Sequence, residues 1–195
     1  MENSDTNLML RLKNGEQDVL REIVERHKLS VLNLCLRFTH NRNDAEDLAQ
    51  EVFIKIYQAA PRYEVKASFT TWLYRITVNL CMNYQRRKKI LQFFSLNHRK
   101  GSEFQVEDRI LEFAAGEQPD TEFEKQELQQ LVQNAIQSLP DNQKTVLILH
   151  RYNNLSYKEI AEALEITVGA VESRLHRAKE NLRKRLKSVV SEIEI

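Results

Sequence analysis

Glycine is nearly missing from this sequence: four residues in 195, beside only three prolines. So few chain breakers argue against a fold of short strands and tight turns and favour long helices. Cysteine is scarcer still. Cys35 and Cys81 match no zinc-ligand spacing and no disulfide framework, so they are expected as buried free thiols in a reducing compartment. No apolar run approaches the roughly 18 residues of a membrane span, and the start, MENSDTNL, lacks a basic stretch followed by an apolar one. The expected location is therefore the cytoplasm. The five histidines are scattered, with no Cys/His cluster and no phosphate-cradling glycine loop. No catalytic residue, metal, cofactor or small-molecule substrate is expected. Strand-type alternation and internal repeats are missing too.

One sign of charge is also missing, but only locally. From Val65 to Ser102 there is no Asp or Glu. The same stretch holds Lys66, Arg75, Arg86, Arg87, Lys88, Lys89, Arg99 and Lys100, interleaved with Phe69, Trp72, Tyr74 and Tyr84. Cations with aromatics between them suit a nucleic-acid strand whose bases can be unstacked. Trp72, Leu73, Ile76 and Leu80 fall at helical spacing, so Trp72 reads both as a core anchor and as a base contact. Asn79 points away from that seam, where an amide can meet a base edge.

Over the whole chain the formal charge is only +1. Residues 1–90 carry a basic excess, 91–127 an acidic one and 128–195 a basic one. That alternation suggests two units facing nucleic acid across an acidic connector. Helical periodicity covers 16–40. Asn43 with Glu46 has the form of a capping box for the next helix, to about Ala59, and Pro61 marks its end. A further helix is expected from about Thr70 to Lys89. The signal then fades over 94–120, which reads as a mostly irregular linker with a short helix at 106–113. It resumes from about Thr121 to Ser138, and Pro140 sits near the start of another helix. The expected fold is all-α: two small helical domains, 1–92 and 121–195, joined by a flexible linker, 93–120.

SYKEIAEALEITVGAVESRLHRA, 156–178, has the form of a helix-turn-helix. Ser156 with Glu159 makes a capping box, and Ala161 is the small residue where the helices cross. Ile160, Leu164, Ile166, Val171 and Leu175 supply the seam. Thr167 caps the second helix, whose first-turn amides can meet a phosphate. Glu172, Ser173, His176 and Arg177 remain facing outward. Arg can bind guanine bidentately and Glu can accept from the cytosine amine. Glu165 occupies the turn position that favours glycine, at a cost of about 1 kcal/mol. Seven basic residues and one acid, Glu180, between 174 and 187 suit phosphate contact. In DAEDLAQEVFIKIYQ, 44–58, Asp44, Asp47 and Glu51 share one helical face while Leu48, Val52 and Ile56 share another. That acidic face suits either solvent and the helix dipole or a docking partner.

In order and spacing these segments resemble the extracytoplasmic-function group of bacterial sigma factors. DAEDLAQEVF resembles their polymerase-binding helix, FTTWLYRITVN followed by QRRKK their −10 segment, and 138–187 their −35-reading domain. The resemblance implies docking on core RNA polymerase, both its largest and second-largest subunits, with Asp44, Asp47, Leu48, Gln50 and Glu51 on the largest. It implies that Lys66, Ser68, Trp72, Arg75, Asn79, Arg86 and Arg87 hold the opened −10 strand of promoter DNA. Thr167, Val168, Gly169, Glu172, Ser173, His176, Arg177 and Lys179 would meet the −35 duplex. Leu73 stands where housekeeping sigma factors carry a second tryptophan, Glu172 where a basic residue is common and Ala170 where Thr is common. An anti-sigma factor, frequently membrane-anchored in the family, is the expected regulator. Three alternatives stay open on the residues alone: a helix-turn-helix regulator acting without replacing the sigma subunit, an RNA-binding module, and a helical adaptor.

Overall fold

The computed structural model describes residues 4–98 and 130–193, and every regular element among them is helical. The front unit holds α1 (Asp5–Lys13), α2 (Val19–Thr39), α3 (Arg42–Ala59), a 3₁₀ turn (Ala60–Arg62) and α4 (Phe69–His98). The rear unit holds α5 (130–137), α6 (Asp141–Tyr152), α7 (Tyr157–Leu164) and α8 (Val168–Ile193). The expected linker, 93–120, lies outside the described residues from 99 onward, as do the short helix at 106–113 and the first residues, 121–129, of the next expected helix.

Local chemistry sets most boundaries. Ser4 accepts a hydrogen bond from the Asn7 amide (3.3 Å) and opens α1. Gly15, at φ 99°, turns the chain toward α2, a conformation open to glycine. The sequence pattern begins at residue 16 and misses α1, whose Leu8, Met9 and Leu12 nonetheless lie in the core. Its nine residues make too few turns for a periodic signal. The cap of α3 is Asn41, whose side chain accepts from the Asp44 amide at 2.9 Å, and not the expected Asn43. Asn41 has the extended backbone a cap requires (φ −134°, ψ 128°), whereas Asn43 is already helical. Glu46 pairs with Arg42 at 2.8 Å instead of closing a box.

Helix α4 starts where expected but continues to His98, past both the expected end at Lys89 and the domain boundary at 92. No glycine or proline interrupts 69–98, so nothing local stops it. The periodic signal ends earlier because the helix outruns its packing: Ile90 is 55% exposed and Leu91 69%.

The front core forms where α2, α3 and α4 converge on Ile23, Val31, Leu34, Val52, Ile56 and Leu73, each at most 1% exposed. Cys35 and Cys81 meet there as free thiols, 3.8 Å between sulfurs. The Cys35 contact and burial push the Cys81 thiol far up, so it stays protonated and inert. In the rear unit Val146, Ile148, Leu149, Ile160, Val171 and Leu175 are buried and continue the same hydrophobic cluster.

The two units touch. Helix α4 lies against α7, Lys89 meets Asp141 at 2.6 Å and the Thr145 hydroxyl reaches the Met82 sulfur at 3.6 Å. Burial pulls the Asp141 carboxyl up, but Lys89 and Lys144 outweigh it and hold it below the usual carboxylate range. Its folded pKa is depressed, so its stabilising contribution is present at neutral pH and lost only as acid titrates it, below about pH 4.

Candidate functional site

Three helix faces carry the residues singled out in the sequence. The first is at the start of α8. The capping box at Ser156 is complete: its hydroxyl accepts from the Glu159 amide (3.3 Å) and the Glu159 carboxylate accepts from the Ser156 amide (2.8 Å). The hydrogen bonds from the Ser156 hydroxyl and amide hold the Glu159 carboxyl below its usual range. Replacing Ser156 by Ala is expected to destabilise the rear unit by about 1 kcal/mol, read as a lower melting temperature near neutral pH. The loss should shrink below about pH 4, because the box needs an ionised Glu159 and vanishes as acid titrates it.

Glu165 adopts the left-handed conformation expected of it (φ 55°), and the next amide, on Ile166, closes onto the Ala161 carbonyl at 3.0 Å. The Thr167 hydroxyl accepts from the Ala170 amide at 3.2 Å and caps α8. Ala161, Val171 and Leu175 are buried at the crossing. Thr167, Val168, Gly169, Glu172, Ser173, His176, Arg177 and Lys179 lie on the outside of the crossing, none of them buried. A Cβ built on Gly169 would meet nothing within 4 Å, so the N-terminus of α8 is unobstructed. This is an exposed, mostly polar face that continues into the cations Arg183 and Lys184.

The second face belongs to α4 and the loop before it. Asn79, Arg86 and Arg87 stand on its outer side, as does Lys66, which pairs with Glu64 at 2.6 Å. Ser68 is occupied within the fold. Its hydroxyl accepts from the Thr71 amide (3.1 Å) and shares a hydrogen bond with Thr71 Oγ1 (2.8 Å), capping α4. Trp72 is half-buried, edge-on to Tyr63 (5.0 Å between centroids) and tilted over Phe69 (5.9 Å). It is thus an anchor with one rim outward, combining both sequence readings. Arg75 does not face open solvent. Its guanidinium donates to the Glu162 carbonyl at 2.5 Å and pairs with Glu165 at 3.0 Å, both on the rear unit.

The third face lies on α3. Asp47, Gln50 and Glu51 stand in one outward stripe. Leu48 is only 7% exposed and packs in the core, where it seats the helix beneath the stripe. Asp44 is also turned inward, bonded to the Tyr84 hydroxyl and 3.6 Å from Lys88. Burial and then the Asp44 carboxylate push the Tyr84 hydroxyl up, keeping it a donor. Sequence reasoning missed Ile54 (55% exposed) and Tyr57 (42%). Ile54 follows Glu51 at i+3 and Tyr57 follows Gln50 at i+7, and that register was the available signal. The stripe therefore runs from acids into two exposed apolar side chains, and exposed apolar side chains rimmed by polar ones mark interaction sites.

Among the described residues no group of His, Cys, Asp and Glu could hold a metal ion, and no helix is long and apolar enough to cross a membrane.

Comparison with known proteins bears on all three faces. Residues 23–90 match the family described as Sigma-70 region 2, and residues 129–182 match Sigma-70, region 4. The ECF RNA polymerase sigma factor SigW of Bacillus subtilis is 36% identical over 179 residues, covering 92% of this chain and 95% of that protein. Among solved structures, CnrH in complex with the cytosolic domain of CnrY superposes with a TM-score of 0.68 at 21% identity, over 95% of this chain and 99% of that one. The sigma factor RpoE of Bartonella quintana, in complex with the anti-sigma factor NepR, gives 0.64 at 20% identity, over 86% and 96%. At those identities the structural likeness is one of fold.

Proposed function

The chain belongs to the extracytoplasmic-function group of sigma-70 RNA polymerase sigma factors, and from that premise we propose how its three faces divide the work. It directs core polymerase to promoters by recognising −35 and −10 elements and by promoting strand opening. Asp47, Gln50 and Glu51, with Ile54 and Tyr57 beyond them, dock on the largest polymerase subunit. The rear unit meets the second-largest subunit. Asn79, Lys66, Arg86 and Arg87, together with Arg75 once it is released, hold the unpaired −10 strand, and the outer rim of Trp72 stacks at its edge. Glu172, Ser173, His176 and Arg177 read the −35 duplex, and Thr167, Val168, Gly169 and Lys179 sit against its phosphates.

The mechanism is linkage. Each unit binds DNA modestly, and polymerase holds the two at a fixed separation, so each raises the other's effective concentration. Unpairing costs a few kcal/mol per flipped base, offset by pocket contacts and by phosphate neutralisation along the acid-free helix. The chain has no catalytic role: bond making belongs to the polymerase, in the cytoplasm where it acts. By analogy with the Bartonella quintana complex, an anti-sigma factor is the proposed inhibitor.

One observation carries this reading. An acidic–apolar docking stripe, an acid-free aromatic helix and a groove-reading helix follow one another on one chain. A lone helix-turn-helix regulator gives no reason for the first two. Transcription reconstituted with core polymerase on genomic DNA, with start sites mapped, tests it. New start sites sharing upstream elements are expected; specific binding to duplex by the free protein, with no new starts, would defeat it.

A further inference from the structure

The contacts that cations make between the units are polarised. Arg37, Arg75 and Lys89 come from the front unit, and the acceptors they meet across the gap come from the rear. Arg75 reaches Glu165 and the Glu162 carbonyl, Lys89 reaches Asp141, and the Arg37 guanidinium lies 3.5 Å above the centre of the Tyr152 ring. The Glu162 carbonyl belongs to the last turn of α7, the negative end of the helix dipole. The rear unit thus presents carboxylates, a carbonyl and a π face to cations of the front unit. Phosphates and stacked bases would present the same chemistry.

Glu165 adds a second, independent observation. It stands in the left-handed turn of the helix-turn-helix, where glycine is easier. Its side chain is 73% exposed, and its carboxylate pairs with Arg75 on the other unit. The turn does not ask for glutamate, whereas Arg75 does. Meanwhile the buried Nε of Arg75 finds no partner, so the clasp leaves part of the guanidinium unsatisfied.

We infer that the rear unit is an intramolecular stand-in for nucleic acid: it clasps Arg75 and Lys89 in the free chain, and single-stranded DNA competes it away. This rests on the assignment of the acid-free helix to the −10 strand. The clasp is made of part-exposed pairs, each shifting an equilibrium about two- to fivefold, so it closes the free chain while yielding to a partner. It weakens with salt.

The test uses the full chain. Carbodiimide, a zero-length coupler, joins Lys89 to Asp141 only while the units are closed, and mass spectrometry measures the linked peptide. Glu165→Gln and Glu165→Gly are compared with wild type and with Glu25→Gln, the same charge change at a residue paired to Lys28. Glycine suits the turn, and unchanged circular dichroism confirms folding. Both Glu165 variants are expected to lose about two- to fivefold of the Lys89–Asp141 link and to gain affinity for a fluorescent A/T-rich single strand by a similar factor, while Glu25→Gln matches wild type. Undiminished coupling in both variants overturns the clasp and leaves the promoter assignment standing. Diminished coupling with no gain in strand affinity overturns the stand-in and removes Arg75 from the −10 surface.

Discussion

Reversing the charge of Asp47 and Glu51 together, Asp47→Lys with Glu51→Lys, abolishes capture of core RNA polymerase while leaving the chain folded. Neither side chain is buried, and Glu51 has only a loose 3.9 Å pair with Lys55, so neither substitution leaves a buried charge unpaired. The fold should therefore shift by no more than about 0.5 kcal/mol. The binding loss is of another size. Charged residues at the centre of an interface contribute about 2 kcal/mol or more each, and reversal adds repulsion where attraction stood. Two such changes predict roughly a thousandfold or greater loss of affinity, measured by fluorescence anisotropy of labelled protein titrated with core enzyme. Ile54→Asp should weaken binding through lost apolar burial and show less salt dependence than the charge reversals. Full retention of affinity in the double variant would move the docking face elsewhere.

Replacing Arg177 by Ala acts on promoter choice alone. Arg177 is exposed on the outer face of α8, where a guanidinium can meet a guanine edge with two bonds. Losing that pair costs about 1–3 kcal/mol, roughly a five- to 150-fold loss of initiation from the cognate promoter. Core binding should be unchanged, and discrimination should relax at one base pair of the −35 element. Lys179→Ala provides the contrast. It should weaken all promoters alike and reduce the salt dependence of binding by about one counterion. Start-site mapping on a library randomised at the −35 element separates the two. If Arg177→Ala weakened every promoter equally, Arg177 would be a phosphate contact.

Much of this site is legible from residue order. The capping box at Ser156, the Thr167 cap, the left-handed Glu165 and the buried Ala161–Val171–Leu175 crossing depend on residues within a few positions of one another. Local hydrogen bonding and helical register decide them, and neither needs a distant partner. The outward set on α8 follows from the same register once the seam is known.

What could not be read has more than one source. Asp44 looks like a member of the acidic stripe, yet Tyr84, on another helix, turns it inward. Ser68 looks like a strand-binding hydroxyl in a basic loop, and it also caps α4 through the nearby Thr71 amide. The end of α4 at His98 escapes detection because a helix without breakers persists beyond its packing, where no periodic pattern records it.

An all-helical chain, two segments facing nucleic acid and an acidic helix ahead of them are all consequences of the amino-acid order. Helix propensity, caps and hydrophobic period act over one or two turns, and those lengths suffice. Packing in three dimensions settles a different matter, namely which polar residues remain available. Asp47 and Asn79 stand exposed, Asp44 is engaged by Tyr84, and Arg75 is held across the gap between units. Availability depends on partners brought together from distant positions, and no local rule contains them.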